Sequence, residues 1–155
     1  MQMIPVSNKI ERSAVVRASA KEVWAKAFAT PEAMAGWFAM KIEGEFKVGE
    51  NFSLWFVEDD EETEHRCGCK LTAFDAGSCF EFLWHPGVSE DLAKFPESEA
   101  TSVRFTLEAL SDTQTKILMV ESGFSRVPKK RKQFAFEANS TGWNVEFGKL
   151  KNFFN

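Results

Sequence analysis

The stretch PKKRKQFAFEANSTGWNVEFGKLKNFF, residues 128–154, decides the fold. Pro128 marks the start of a long helical pattern, because proline is tolerated at the first turn of a helix and disfavoured inside one. The pattern places five apolar residues on one side of the helix: Phe136, Trp143, Phe147, Leu150 and Phe154. An apolar stripe of this kind needs a surface to cover. The stretch therefore predicts a long helix packed on another layer of the fold.

Residues 41–124 predict the surface that this helix covers. Apolar residues alternate with other residues in four runs, which are Phe52, Leu54 and Phe56; Phe80, Phe82 and Trp84; Val103, Phe105 and Leu107; and Ile117 and Met119. A period of two is typical of strands with one buried face. Turns near residues 48–50, 58–62, 75–77 and 111–112 separate the strands. The pattern predicts an antiparallel sheet, and we expect the helix to contact Phe82 and Phe105 on its apolar face.

The residues before the sheet predict one more strand and two short helices. Residues 9–17 have strand character, and Ser19 with Glu22 forms a capping-box signature at the start of the first helix. Thr30 then supplies a cap for a second helix over residues 31–37. The predicted fold class is α+β, with two short helices after the first strand and a curved antiparallel sheet wrapped around a long C-terminal helix.

The length and charge of the chain limit what it can be. Its 155 residues are close to the size of one domain, so we expect a single domain over residues 1–155. A net charge of −4 gives no general attraction to nucleic acid. The longest apolar run, residues 33–40, is far shorter than the roughly 18 residues of a membrane-spanning helix. Residues 1–13 contain no apolar block, so we expect no secretory signal and a cytoplasmic location.

The sequence gives little support for a metal or a cofactor. It contains 2 histidines, which excludes a three-histidine zinc site, and it has no dinucleotide fingerprint or phosphate loop. His65, Cys67 and Cys69 share one strand face and are the best candidate metal ligands. Alternate residues of a strand lie in a line about 6.5 to 7 Å apart, however, so they do not enclose an ion. We expect no metal, no cofactor and three free thiols.

Short motifs in a fixed order resemble one superfamily. They are VVRAS at 15–19 with EVW at 22–24, TPE at 30–32 with WF at 37–38, FEFLW at 80–84, ESGF at 121–124 and GW at 142–143. Over nearly its whole length the chain resembles the START-like superfamily, and within it the domain related to the activator of the ninety-kilodalton heat-shock chaperone's ATPase. The resemblance implies a helix-grip fold with a cavity between sheet and helix that accepts an apolar ligand in many relatives. It implies no single activity, since relatives include lipid carriers, polyketide cyclases and chaperone activators.

The inward-facing side chains are the candidates for lining such a cavity. We expect the ligand-binding residues to be Phe52, Leu54, Phe56, Cys69, Phe82, Trp84, Phe105, Met119, Glu121, Trp143 and Phe147. Glu121 differs from the rest, because it continues the inward phase of Ile117 and Met119 and places a carboxyl group where burial perturbs its pKa. Two interpretations of Glu121 stay open. It is either a binding or proton-transfer group in the cavity, or a solvated or ion-paired group at the cavity mouth.

Three functions follow from these features. The first is a binding or carrier domain for a small apolar, aromatic or lipid-like molecule, acting as a monomer or weak homodimer. The second is an accessory domain that contacts a chaperone and stimulates its ATPase. The third is a cyclase-like or hydrolase-like enzyme that uses Glu121 or His85, the latter at the end of a strand. The first is favoured over an enzyme, because His85 has no identified nucleophile or acid partner.

Overall fold

A computed structural model describes residues 4–57 and 62–154. Within this part of the chain, seven strands form one antiparallel sheet in the order β1-β7-β6-β5-β4-β3-β2. The strands are β1 (Lys9–Val16), β2 (Lys41–Gly44), β3 (Asn51–Val57), β4 (Glu64–Asp75), β5 (Cys79–Trp84), β6 (Thr101–Ser111) and β7 (Gln114–Ser122). The predicted turn at residues 58–62 lies, apart from Glu62, outside the described residues. The predicted α+β class and antiparallel sheet are confirmed.

The helices begin where the sequence predicts. They are α1 (Ala20–Ala27), α2 (Pro31–Met34) and α3 (Lys129–Phe153). Ser19 Oγ accepts a hydrogen bond from the backbone N–H of Glu22 at 3.1 Å, and the Glu22 side chain completes the capping box. Thr30 Oγ1 accepts from the backbone N–H of Ala33 at 3.1 Å and caps α2. In the described part of the chain, no helix is both long and apolar enough to cross a membrane.

The predicted extent of the second helix is wrong. This helix ends at Met34 rather than at Trp37, and the backbone N–H of Trp37 bonds three residues back, to the carbonyl of Met34. The cause is tertiary, since the Trp37 indole turns inward and donates to the carbonyl of Ala27 at 2.9 Å. Phe38 then enters the core and is fully buried. This aromatic pair, delivered by a short helix, fills space between the sheet and α3.

Helix α3 packs across the concave face of the sheet. The ring of Phe105 lies 5.8 Å from Trp143 and 6.4 Å from Phe147, measured between ring centroids, so the contact predicted for Phe105 is confirmed. The one predicted for Phe82 is wrong. The ring contacts that Phe82 makes on this side are to Phe38 at 6.4 Å and Trp84 at 5.3 Å, because Phe38 occupies the space in front of it.

Candidate functional site

A cavity of about 400 Å³ lies between α3, the end of the sheet around β3, β4 and β5, and the loop that follows β5. Its lining consists of Phe38, Phe56, His65, Cys67, Trp84, His85, Gly87, Val88, Ser89, Ala138, Asn139, Gly142, Trp143 and Glu146. Most of this surface is carbon, with a small number of polar groups among the rings. That composition is typical of sites that bind small organic molecules.

Two glycines allow the loop after β5 to form one wall of the cavity. Gly87 has a φ of 73° and passes so close to α3 that an added Cβ would lie 2.8 Å from the Cα of Ala135. Gly68 lies in the middle of β4, where an added Cβ would lie 2.9 Å from the Cα of Asp91. Both positions therefore require glycine, for the close approach and at Gly87 also for the left-handed backbone. The loop is thereby held against both the sheet and the helix.

Four aromatic rings form the apolar wall of the cavity. Phe38 lies at the centre of the group, 5.4 Å from Trp143, 5.7 Å from Phe56 and 6.5 Å from Trp84, measured between ring centroids. The two indoles are 6.0 Å apart. These rings come from the segment after α2, from β3, from β5 and from α3, so the wall exists only in the folded chain.

Behind this wall lies Glu121, which is fully buried. Its Oε2 accepts hydrogen bonds from Trp84 Nε1 at 2.8 Å and from Thr101 Oγ1 at 2.5 Å. Its Oε1 accepts one from Trp143 Nε1 at 2.8 Å. The side-chain amide of Asn139 donates to both oxygens, at 2.9 and 3.0 Å. One acid thus satisfies both indole N–H groups of the aromatic wall.

This environment corrects both interpretations of Glu121. The residue does not lie at the cavity mouth, and the groups that bond its carboxyl oxygens are neutral donors rather than a cation. Burial raises the pKa of Glu121 above its ordinary value of 4.5, while the hydrogen bonds from Thr101, Trp143, Trp84 and Asn139 act in the opposite direction. Its perturbed pKa is therefore confirmed. Its carboxyl group is separated from the cavity by the side chains that bind it.

His85 does face the cavity, at the end of β5. Only 3% of the residue is exposed. Its Nε2 lies 2.8 Å from the carbonyl oxygen of Leu92, which can only accept, so Nε2 carries the proton. The other ring nitrogen, Nδ1, is buried and has no hydrogen-bond partner among the described residues. In the neutral ring this nitrogen is a hydrogen-bond acceptor left unused.

The remaining polar groups of the cavity belong to β4 and α3. Burial raises the pKa of the Cys67 thiol to about 11, which keeps it protonated at neutral pH. Glu146 is 13% exposed in its side chain and pairs with Lys149, whose Nζ lies 2.7 Å from Oε2. Burial also raises the pKa of Glu146, and Lys149 opposes this shift. Among the described residues, no three His, Cys, Asp or Glu side chains come together as a metal site.

The structure divides the predicted ligand-binding residues into two groups. Phe56, Trp84 and Trp143 line the cavity, and their role in binding stays a prediction. The others lie outside its described lining, behind the aromatic wall or deeper in the core: Phe52, Leu54, Cys69, Phe82, Phe105, Met119, Glu121 and Phe147. Strand parity identifies the side chains that point inward, but it does not distinguish a cavity wall from a packed core.

Sequence reasoning predicted Trp143 but missed its neighbours on the face of α3 that lines the cavity. Asn139, Gly142, Trp143 and Glu146 all face the cavity from α3. Their spacing is i, i+3, i+4 and i+7, which places them on one face of a helix. Three of the four are not large apolar residues, so a search for an apolar stripe passes over them. The usable signal was a glycine and two polar residues beside a tryptophan on the buried side of a helix.

Comparisons with known proteins agree with this architecture. The NMR structure of a protein from Arthrobacter aurescens is 17% identical and superposes with a TM-score of 0.75 over 99% of this chain and 92% of its own. The Aha1 dimer from Colwellia psychrerythraea is 18% identical, with a TM-score of 0.67 over 94% of this chain and 95% of its own. CalU16 from Micromonospora echinospora is 17% identical, with a TM-score of 0.66 over 95% of this chain and 76% of its own. At such identities these likenesses show the fold alone.

Sequence comparison identifies the family. None of the curated proteins matches the chain. The family model described as Activator of Hsp90 ATPase homolog 1-like protein, in contrast, matches residues 17–155, which include every strand from β2 onward and all three helices. The predicted resemblance is thereby confirmed. The chain belongs to the family of Activator of Hsp90 ATPase homolog 1-like proteins, within the START-like helix-grip superfamily.

Proposed function

We propose that this domain binds a small, largely apolar molecule in the cavity between the sheet and α3. The observation that carries the proposal is the cavity itself, about 400 Å³ with a wall of four aromatic rings. Ligand sites for small molecules usually enclose roughly 300 to 1,000 Å³. An aromatic wall of this kind supplies most of the binding free energy through buried area, and the few polar groups orient the ligand.

Gly142 provides a direct test, because it lines the cavity without a side chain. A Cβ added at Gly142 would meet nothing within 4 Å, so a larger residue would extend into the cavity rather than collide with its walls. Gly148 lies on the same helix, also has nothing within 4 Å of an added Cβ, and is exposed away from the cavity. The two glycines form a matched pair, since replacing either one favours the helix by roughly 0.5 to 1 kcal/mol.

The experiment compares Gly142→Leu with Gly148→Leu, using N-phenyl-1-naphthylamine as a neutral apolar probe. We expect saturable binding to the parent, with quenching of tryptophan emission because Trp84 and Trp143 lie in the wall. Gly142→Leu should abolish binding and Gly148→Leu should preserve it, while both variants melt at or above the temperature of the parent. Equal binding by the two variants, or no saturable binding by the parent, would refute a ligand-binding cavity.

The family match supports a second candidate function, stimulation of a heat-shock chaperone ATPase. Such a role would use the outer surface, which Gly142→Leu leaves unchanged. Adding the parent and the Gly142→Leu variant to an Hsp90-type chaperone separates the two functions. Equal stimulation of ATP hydrolysis by both would favour the chaperone role, and no stimulation by either would exclude it.

An enzymatic role has less support from the site. Glu121 does not reach the cavity, so it is unsuited to proton transfer with a bound molecule. His85 does face the cavity, but among the described residues its ring is hydrogen-bonded to the carbonyl of Leu92 and not to the Cys67 thiol or the Ser89 hydroxyl of the same lining, so no nucleophile is paired with this base. We further propose a cytoplasmic protein that is a monomer or a weak homodimer. Light scattering over a range of concentrations would detect the association.

A further inference from the structure

Much of the space between α3 and the sheet is filled by aromatic rings. Away from the cavity, the ring of Phe82 lies 5.7 Å from that of Phe52, and the ring of Phe105 lies 5.8 Å from that of Trp143, measured between centroids. Phe52, Phe82 and Phe105 are all buried and lie outside the cavity lining. The cavity therefore occupies one end of this space, and the residue that closes its inner side decides how long a buried ligand can be.

Phe38 closes the cavity on this inner side. It belongs to the lining, yet only 1% of the residue is exposed. Its ring contacts two other lining residues, Phe56 at 5.7 Å and Trp143 at 5.4 Å. It also contacts two rings outside the lining, Trp37 at 5.2 Å and Phe82 at 6.4 Å. Phe38 thus stands between the cavity and the packed core.

Phe38 also differs in chemistry from the two indoles of the wall. Trp84 and Trp143 donate hydrogen bonds to Glu121, so replacing either one removes a donor from a buried acid. The side chain of Phe38 contains no polar atom. Its size can therefore change without breaking a hydrogen bond, and the length of the cavity changes with it.

The backbone around Phe38 fixes the position of the ring. Its N–H donates to the carbonyl of Met34 at 2.8 Å, and two residues later the N–H of Met40 donates to the carbonyl of Trp55 at 2.7 Å. Between them, Ala39 has a φ of 64°, a left-handed conformation that is strained for residues other than glycine. Such strain persists where the surrounding structure enforces it. The chain thus inserts the ring and bends back to the sheet in a fixed conformation.

We propose that Phe38 is the specificity-determining residue of the cavity and sets the greatest length of ligand that the domain can bury. This inference rests on the proposed function of the cavity and adds the size class of the ligand, which is a compact ring compound rather than a long acyl chain. Carbon atoms beyond this length stay in water and add no affinity. Without the ring of Phe38, the cavity would extend to Phe82.

Linear 1-alkanols from hexanol to dodecanol measure this length by displacement of N-phenyl-1-naphthylamine. Each methylene group that enters the cavity should raise the affinity by roughly 4-fold. In the parent, this increase should stop at the chain length that reaches Phe38. In Phe38→Ala it should continue for roughly 2 to 4 more carbons, because the deleted ring leaves a space behind. Phe38→Leu removes less volume, disturbs folding less and should extend the limit by about one or two carbons.

Phe124→Ala and Phe124→Leu are the matched controls. Phe124 is also fully buried, with its ring 5.1 Å from that of Phe136, but it lies outside the cavity lining. Both controls should keep the limit of the parent, and circular dichroism identifies the variants that are folded.

The outcomes separate this inference from the function on which it rests. An unchanged limit in the folded Phe38 variants, or an equal extension in the Phe124 variants, would overturn the role of Phe38 while the cavity function stands. The same holds if the affinity of the parent rises through dodecanol, or if no alkanol displaces a probe that is bound. If neither the probe nor any alkanol binds the parent saturably, the proposed function itself is wrong.

Discussion

Replacing Glu121 with leucine tests whether this acid is a costly buried charge or a necessary acceptor. If the charge were merely costly, an apolar residue of similar size would stabilise the protein, as happens when whole buried ion pairs are replaced. The structure predicts the opposite, because the indole N–H groups of Trp84 and Trp143 stay behind without their acceptor. Each buried donor that loses its partner costs roughly 1 to 3 kcal/mol, so the two indoles together cost about 2 to 6 kcal/mol.

The size of this loss in stability determines whether the Glu121→Leu variant folds. A domain of this size is typically stable by about 5 to 15 kcal/mol, so Glu121→Leu should fold with a much lower midpoint of unfolding or fail to fold at the low end of that range. Glu121→Gln keeps one acceptor oxygen and should lose less, roughly 1 to 3 kcal/mol, since one indole then faces an amide N–H. Urea melts followed by tryptophan emission measure the free energy of unfolding of both variants.

Met119→Leu is the matched control for these melts. Met119 is also fully buried and points inward from β7, but it makes no hydrogen bond through its side chain that the structure describes. Leucine conserves its volume, so the change should cost less than about 1.5 kcal/mol. A Glu121→Leu variant as stable as the parent or the Met119→Leu control would refute the acceptor role of Glu121.

Two further predictions concern titration in the core and the cavity. Burial raises the pKa of Glu121 in the folded state above its ordinary value of 4.5. At pH values between 4.5 and the higher folded pKa, the folded protein therefore binds more protons than the unfolded chain. The stability of the parent relative to Glu121→Gln should therefore be greatest below pH 4.5 and fall as the pH rises through the folded pKa; a flat difference across parallel urea melts would contradict this. Cys67, with a pKa of about 11, should react with iodoacetamide at pH 8 far more slowly than an exposed thiol of ordinary pKa. Rapid and complete labelling of Cys67, measured by mass spectrometry, would contradict this prediction.

Local signals in the sequence were sufficient for most of the fold. The capping box of Ser19 and Glu22 and the cap at Thr30 depend on residues three apart in the chain, and the structure forms both. The end of α2 was missed because it depends on a distant group. The Trp37 indole finds the carbonyl of Ala27, and that contact decides where the helix stops. Propensity within a short window contains no information on such a partner.

The site was predicted less well, for a physical reason. Alternation along a strand placed Phe82 and Phe105 on the inner face, and both are indeed buried. Whether an inward side chain meets a cavity or a neighbour depends on what lies opposite, and Phe38 fills that space over Phe82. The cavity wall formed by the loop after β5 could not be predicted from the sequence either, since it depends on the close approach of Gly87 to Ala135. These contacts are set by packing between elements, which periodicity does not encode.

The position of Glu121 explains how an apolar cavity can stay open next to a densely packed core. Large rings that were free to rotate would collapse into an unfilled space, because filling it would regain dispersion contacts. Trp84 and Trp143 are instead bound at their N–H groups by one buried acid, which fixes the orientation of both rings. The ordering of the wall is thus completed during folding rather than on binding, and a ligand meets a surface whose conformational entropy has already been lost. In the proposed function, Glu121 is accordingly a positioning residue, which would act on binding through the two indoles.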